Sequence, residues 1–242
     1  MARIIKEPQD IFTGITEDFQ KVFGDDLLSV ILYGSGAGGQ YVPGKSDINF
    51  LVVLTEEGVE DLERSLPVLA HWRKMRVAVV FMTREYISSS VDSYPAEFLN
   101  MKLNHITVFG ADVLEDLKFE PRDLRLQLER ELKGKILHLQ QGFLEREGKE
   151  KGLRELIRIS LGAFVPLFKA FLFLRGCEIP QGRRDVIKAL SLACPIAPDV
   201  FLLCIDVREG KGRFSSREIK SLFQAYRQEI VKFCKYIDRM EV

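Results

Sequence analysis

Net charge is the first thing this sequence lacks. Lys and Arg number 35 and Asp and Glu number 35, over 242 residues. Composition therefore gives no footing for a nucleic-acid or anionic-membrane partner. Histidine is scarce as well. His71, His105 and His138 are scattered, with no Ser or Cys partner in view, and each reads as structural. The four cysteines (Cys177, Cys194, Cys204, Cys234) include no CxxC pair and have no His nearby at ligand spacing, which excludes the usual patterns of structural zinc. They read as reduced, mostly buried thiols of a cytoplasmic protein. The opening residues, MARIIKEPQD, lack the apolar core and small-residue cleavage site of a secretory signal. The most apolar long stretch, LGAFVPLFKAFLFL at 161–174, is too short to span a bilayer and is interrupted by Lys169, so a buried helix is expected there.

What remains is an ordinary globular composition, 46% hydrophobic and 29% charged, in a chain long enough for one large domain or two small ones. The pattern changes along it. Residues 27–33, 47–54, 76–83 and 105–109 are short and rich in β-branched or aromatic residues, and read as strands. Helical patterns lie between them, at 11–23, at 59–74, and at 84–103, the last as two helices broken near Pro95. After about residue 120 the strands stop. Apolar stripes at steps of three and four run through Leu128–Phe143, Leu153–Phe171 and Ile219–Ile237, with shorter helices at 183–192 and 198–207. The expectation is an α+β domain over residues 1–120, with a mixed sheet and flanking helices, followed by an all-α bundle of about five helices over residues 121–242. Pro121 suits the start of the first bundle helix.

The stretch carrying chemistry is LYGSGAGGQYVPGKSDINFLVVL, residues 32–54. A Gly34-Ser35 pair at the end of a buried strand permits a tight turn, brings backbone N–H groups toward an anion and adds a hydroxyl donor. It is no Walker A loop: the Gly-Lys-Ser at 44–46 precedes a strand instead of opening a helix. Eleven residues separate Ser35 from Asp47, which opens Asp-Ile-Asn-Phe-Leu-Val-Val. Strand alternation is expected to place residues 47 and 49 on one face, with Ile48, Phe50 and Val52 turned into a core. A triphosphate cradle on one strand beside acids on its neighbour is the arrangement metal-assisted nucleotidyl transfer uses.

With Tyr33-Gly34-Ser35, a short gap and Asp47-Ile48-Asn49, the segment resembles the nucleotidyltransferase-fold superfamily, the kanamycin nucleotidyltransferase-like and polymerase-beta-like group. The resemblance implies an α/β catalytic module with a helical domain behind it. It further implies Gly34, Ser35, Lys45 and Ser46 toward a nucleotide such as ATP, and Asp47 toward Mg²⁺. Two departures stand against the family pattern. Its second carboxylate position holds Asn49, and the next strand, where a third usually sits, carries no acid. Glu85, Asp92 and Glu97 are the nearest acids beyond that strand. The expectation is thus a nucleotide-binding pseudoenzyme with absent or weakened catalysis. The alternatives are an active Mg²⁺-dependent enzyme that transfers NMP to a hydroxyl of a small molecule or protein, and an antitoxin-like interaction module. The Phe-rich helix at 164–173 reads as core or homodimer packing, and the basic HWRKMR at 71–76 as a charged helix end.

Overall fold

A computed structural model describes residues 4–241. Two compact units form, the first from the residues up to Asp92 together with Glu97–Phe119, the second from Ser93–Ala96 together with the chain from Glu120 onward.

The first unit is built on a four-stranded sheet of β1 (Leu27–Tyr33), β2 (Ile48–Leu54), β3 (Val77–Thr83) and β4 (His105–Gly110), in the order β3-β2-β1-β4. β1 runs antiparallel to both β2 and β4, and β2 runs parallel to β3, so the sheet is mixed. Alternation sorts the side chains onto two faces. Val30, Leu32, Ile48, Phe50 and Val52 pack with Ile15, Phe19 and Phe23 of α1 (Phe12–Phe23). Those three recur at steps of four, which places them on one side of a helix. On the opposite face Ile31, Leu51 and Val53 meet Ile87 of α4 (Arg84–Ser90), Phe98 of α5 (Pro95–Leu103) and Leu114.

The run expected as one helix over 59–74 is three pieces: α2 (Glu56–Glu60), a 3-10 turn at Leu62–Ser65, and α3 (Leu66–Arg73). Thr55 starts α2 early, because its hydroxyl accepts the Gly58 N–H at 3.0 Å while donating to Asp26 at 2.7 Å. Pro67 occupies the first turn of α3, where its missing N–H costs nothing. Trp72 then anchors α3 to α1, its indole N–H donating to Asp18 at 3.0 Å.

The second unit is all helix: α6 (Pro121–Glu145), α7 (Glu150–Leu174), α8 (Arg183–Ala193), α9 (Pro198–Glu209) and α10 (Ser216–Asp238). α7 is long and apolar enough to cross a bilayer by length and composition, but 61% of its apolar window is buried inside the protein. Phe164, Phe168 and Phe171 are fully buried. They meet Phe201 of α9 and Tyr226 and Phe233 of α10 edge-on, with ring centroids 5.2–6.1 Å apart. That geometry suits the ring quadrupole. The Phe-rich stripe is therefore used within the core. Cys194, Cys204 and Cys234 are buried free thiols and Cys177 an exposed one.

Lys169, which the sequence shows as a charge interrupting an apolar run, is only 6% exposed. Burial pushes its ammonium below the ordinary value of 10.5, and the like charge of Arg183 pushes the same way. With the folded value lowered, the unfolded chain binds more protons between the two values. Stability therefore rises with pH across that window, and the cost is complete below it. Lys169→Met is expected to stabilise the protein at pH 7 by about 1 kcal/mol or more, read as a higher Tm in thermal unfolding. The gain should shrink as the pH approaches 10.5. A lower Tm for Lys169→Met would mean that the ammonium is stabilised where it lies.

Candidate functional site

β1 ends in a turn rather than a helix. Gly34 has φ +77°, a conformation that favours glycine, and Gly34–Gly36 form one 3-10 turn. The turn is fixed from inside and from beside. The Gly34 carbonyl accepts N–H donors from Ala37 at 3.2 Å and Gly38 at 2.9 Å, and the Ser35 carbonyl accepts from Gln40 at 3.0 Å. The Gly34 N–H itself donates to the Asn104 carbonyl at 2.9 Å. Asn104 also explains Gly38, since a Cβ there would come within 2.7 Å of its side-chain oxygen. Of the turn's own N–H groups, that of Gly36 closes the 3-10 turn on the Tyr33 carbonyl three residues back, and that of Ser35 takes no part in it. The Ser35 hydroxyl, half-buried, has no hydrogen-bond partner among the described residues. A rigid, glycine-rich turn with both Ser35 donors uncommitted is chemically suited to an anion.

The loop to β2 is held by its own polar groups. Tyr41 donates its phenol to the Ile5 carbonyl at 3.0 Å. The Ser46 hydroxyl accepts the Val42 N–H at 3.1 Å, and the N–H groups of Lys45 and Ser46 both return to the Val42 carbonyl. Ser46 thus spends its hydroxyl on closing the loop, while the Lys45 side chain is exposed.

Asp47 departs from the expected strand register. β2 begins at Ile48, whose N–H donates to the Arg76 carbonyl at 3.0 Å and opens the parallel ladder with β3. Asp47 stands just before that ladder, with its side chain 57% exposed. Alternation therefore does not fix its direction; a partner does. Arg76 Nη2 lies 2.8 Å from Asp47 Oδ1 and donates to the Lys45 carbonyl at 3.0 Å. Arg76 has φ +62°, a left-handed conformation that costs an L-residue with a Cβ about 1–2 kcal/mol. Sequence reading treats Arg76 as one charge in a basic cluster. The signal that singles it out is spatial, because the β2–β3 pairing brings it beside Asp47.

Asn49 lies within β2, opposite Tyr33 of β1 and Ala78 of β3. It is half-buried and makes no side-chain hydrogen bond among the described residues. Its amide nitrogen would be 3.5 Å from a Cβ on Gly34, so this uncharged side chain borders the turn. Tyr33, beside it, is partly sequestered, and burial raises its phenol above the ordinary value. On β3 the positions in register with Asn49 and Leu51 are Ala78 and Val80, both exposed and neither acidic. Glu85 sits exposed in the first turn of α4, where its carbonyl accepts the hydroxyls of Ser88 and Ser89. Glu97 opens α5, and Asp92 falls between the two helices. Among the described residues no group of three or more His, Cys, Asp or Glu could hold a metal ion, so none of these acids completes such a group with Asp47. One carboxylate occupied by a guanidinium, one amide and two apolar residues do not fit a two-metal centre, which is compensated by several anionic oxygens. Of the histidines, His105 is held structurally, between the Lys102 carbonyl at 2.8 Å and Asp112 at 2.7 Å.

No family model matches the chain, and no curated protein matches it in sequence. Among solved structures it is similar to the spectinomycin adenyltransferase AAD(9) from Enterococcus faecialis, solved with ATP and spectinomycin. The two are 12% identical and superpose with a TM-score of 0.54, over 91% of this chain and 99% of that one. At that identity the likeness is one of fold. A mixed four-stranded sheet with flanking helices, followed by a helical region, is the nucleotidyltransferase-like architecture.

Proposed function

We propose that this chain is a nucleotide-binding protein of nucleotidyltransferase-like fold whose transfer chemistry is absent or weak. The observation that carries the reading is the Gly34–Ser35 turn. It is a left-handed glycine at the end of a core strand, locked by Asn104, with the Ser35 hydroxyl and the Ser35 N–H left for an anion. The adenyltransferase of similar fold was solved with ATP, which supports a nucleoside triphosphate as the ligand. The weakness of the chemistry rests on the donor set. Asn49 supplies no charge, β3 supplies Ala78 and Val80, and Asp47 is already paired.

The same neighbour, solved with ATP and spectinomycin, supports a second reading, transfer of NMP to a hydroxyl of a small molecule, for which we place Mg²⁺ at Asp47. That reading requires the Asp47 carboxylate to be released from Arg76.

Calorimetric titration with ATP and with GTP tests the first reading. Saturable binding is expected, with pyrophosphate release at the buffer background. Ser35→Ala is expected to weaken binding about tenfold, the value of one hydrogen bond to a charged ligand. No binding of either nucleotide at millimolar concentration would end the proposal. Pyrophosphate release above background in Mg²⁺ would favour the second reading.

A further inference from the structure

We infer that Arg76 supplies the positive charge that a divalent cation supplies in metal-dependent sites of this shape, so that the ligand taken at the turn is a nucleoside triphosphate free of metal. The inference rests on the reading of Gly34–Ser35 as a phosphate cradle.

Arg76 is held at both ends. Its carbonyl receives the Ile48 N–H at 3.0 Å, and its own N–H donates to the Arg73 carbonyl at 3.0 Å, which fixes the backbone in its left-handed turn. Its guanidinium is pinned on the chain entering β2, through Asp47 Oδ1 and the Lys45 carbonyl. Both of these contacts leave from Nη2. Nη1 and Nε therefore remain as donors, on a side chain 49% exposed. A guanidinium keeps its charge at any physiological pH and presents a planar fork that matches two phosphate oxygens at once.

The opposing donor set agrees. Mg²⁺ demands oxygen ligands in near-octahedral geometry and takes carboxylates for preference. Beside the turn the chain offers the neutral amide of Asn49, and on β3, in register with Asn49 and Leu51, the apolar Ala78 and Val80, while the Asp47 carboxylate already has a permanent cation. Asp47 here is a positioning residue for Arg76. It also competes with phosphate for that arginine, and this reverses the usual consequence of removing the acid.

The experiment is calorimetric titration of the whole protein with ATP in excess EDTA and again in excess Mg²⁺. ATP is expected to bind in EDTA at least as tightly as in Mg²⁺. Asp47→Asn is expected to tighten metal-free binding several-fold, because a charge repelling phosphate is removed and Arg76 is freed. Arg76→Gly is expected to weaken it about tenfold or more. Glycine suits φ +62°, so this variant keeps its fold. Arg76→Lys should restore part of the loss. Binding that requires Mg²⁺ and disappears in Asp47→Asn would overturn the inference and leave the cradle standing. So would an Arg76→Gly protein that binds metal-free ATP unchanged. No binding in either condition would remove the cradle as well.

Discussion

Gly110→Ala is expected to destabilise the sheet-bearing unit by about 2–5 kcal/mol, taking backbone strain and overpacking together. Gly110 ends β4 at φ +75°, opposite Ser29 of β1. A Cβ there would lie 1.9 Å from the Leu28 carbonyl oxygen, 2.9 Å from its carbon and 3.0 Å from the Ser29 Cα. All three are backbone atoms, so no side chain can rotate away and one strand must move. Ser29 is fully buried at this point, its hydroxyl 2.7 Å from the Leu28 carbonyl and 2.6 Å from that of Ala111. A shift of β4 would strand that hydroxyl as well. Gly39→Ala is the control: its φ is +67°, but nothing lies within 4 Å of the added carbon. It should lose only the conformational part, about 1–2 kcal/mol. In urea the Gly110 variant should show a lower midpoint with an unchanged slope. Equal losses in the two variants would show that β1 and β4 do not approach as described.

Phe168→Ala is expected to cost the helical unit about 3–5 kcal/mol, the range for emptying a fully buried aromatic site. Phe168 is wholly inaccessible, and its ring meets Phe201 at 5.5 Å and Phe233 at 5.3 Å, both edge-on, with Phe164 stacked at 6.2 Å. One truncation therefore loosens α7 from α9 and α10 together. Phe173, on the same helix but 39% exposed, should lose far less on the same change. Scanning calorimetry reads both. Similar losses at the two positions would contradict the placement of the α7 stripe.

Sequence pattern recovered whatever depends on periodicity. β1 runs over Leu27–Tyr33, as the apolar run predicts, and the chain after Pro121 forms five helices whose stripes are buried. The pattern failed where one side chain outweighs it. Thr55 caps a helix ahead of the apolar signal, Pro67 restarts one within it, and Asp47 turns to Arg76 instead of continuing the alternation of β2. In the candidate site the turn was legible, because glycine and serine at a strand end are turn formers. The neutrality of Asn49 and the missing acid on β3 were legible as residue types. Arg76 was not, because its position beside Asp47 depends on a left-handed backbone and a parallel register across twenty-eight intervening residues. The burial of Lys169 was hidden for a similar reason: helix periodicity places it on a face, and the packing of the unit decides whether that face is covered.

The central claim is that a nucleotide is held at the Gly34–Ser35 turn. The most direct test is to follow the backbone amide resonances of the isotope-labelled protein by NMR as ATP is added. The account predicts saturable shifts concentrated at Ser35, whose N–H takes no part in closing the turn, and at its neighbours within the turn, with smaller changes at Arg76. Saturable shifts elsewhere that leave residues 34–38 unmoved would contradict it.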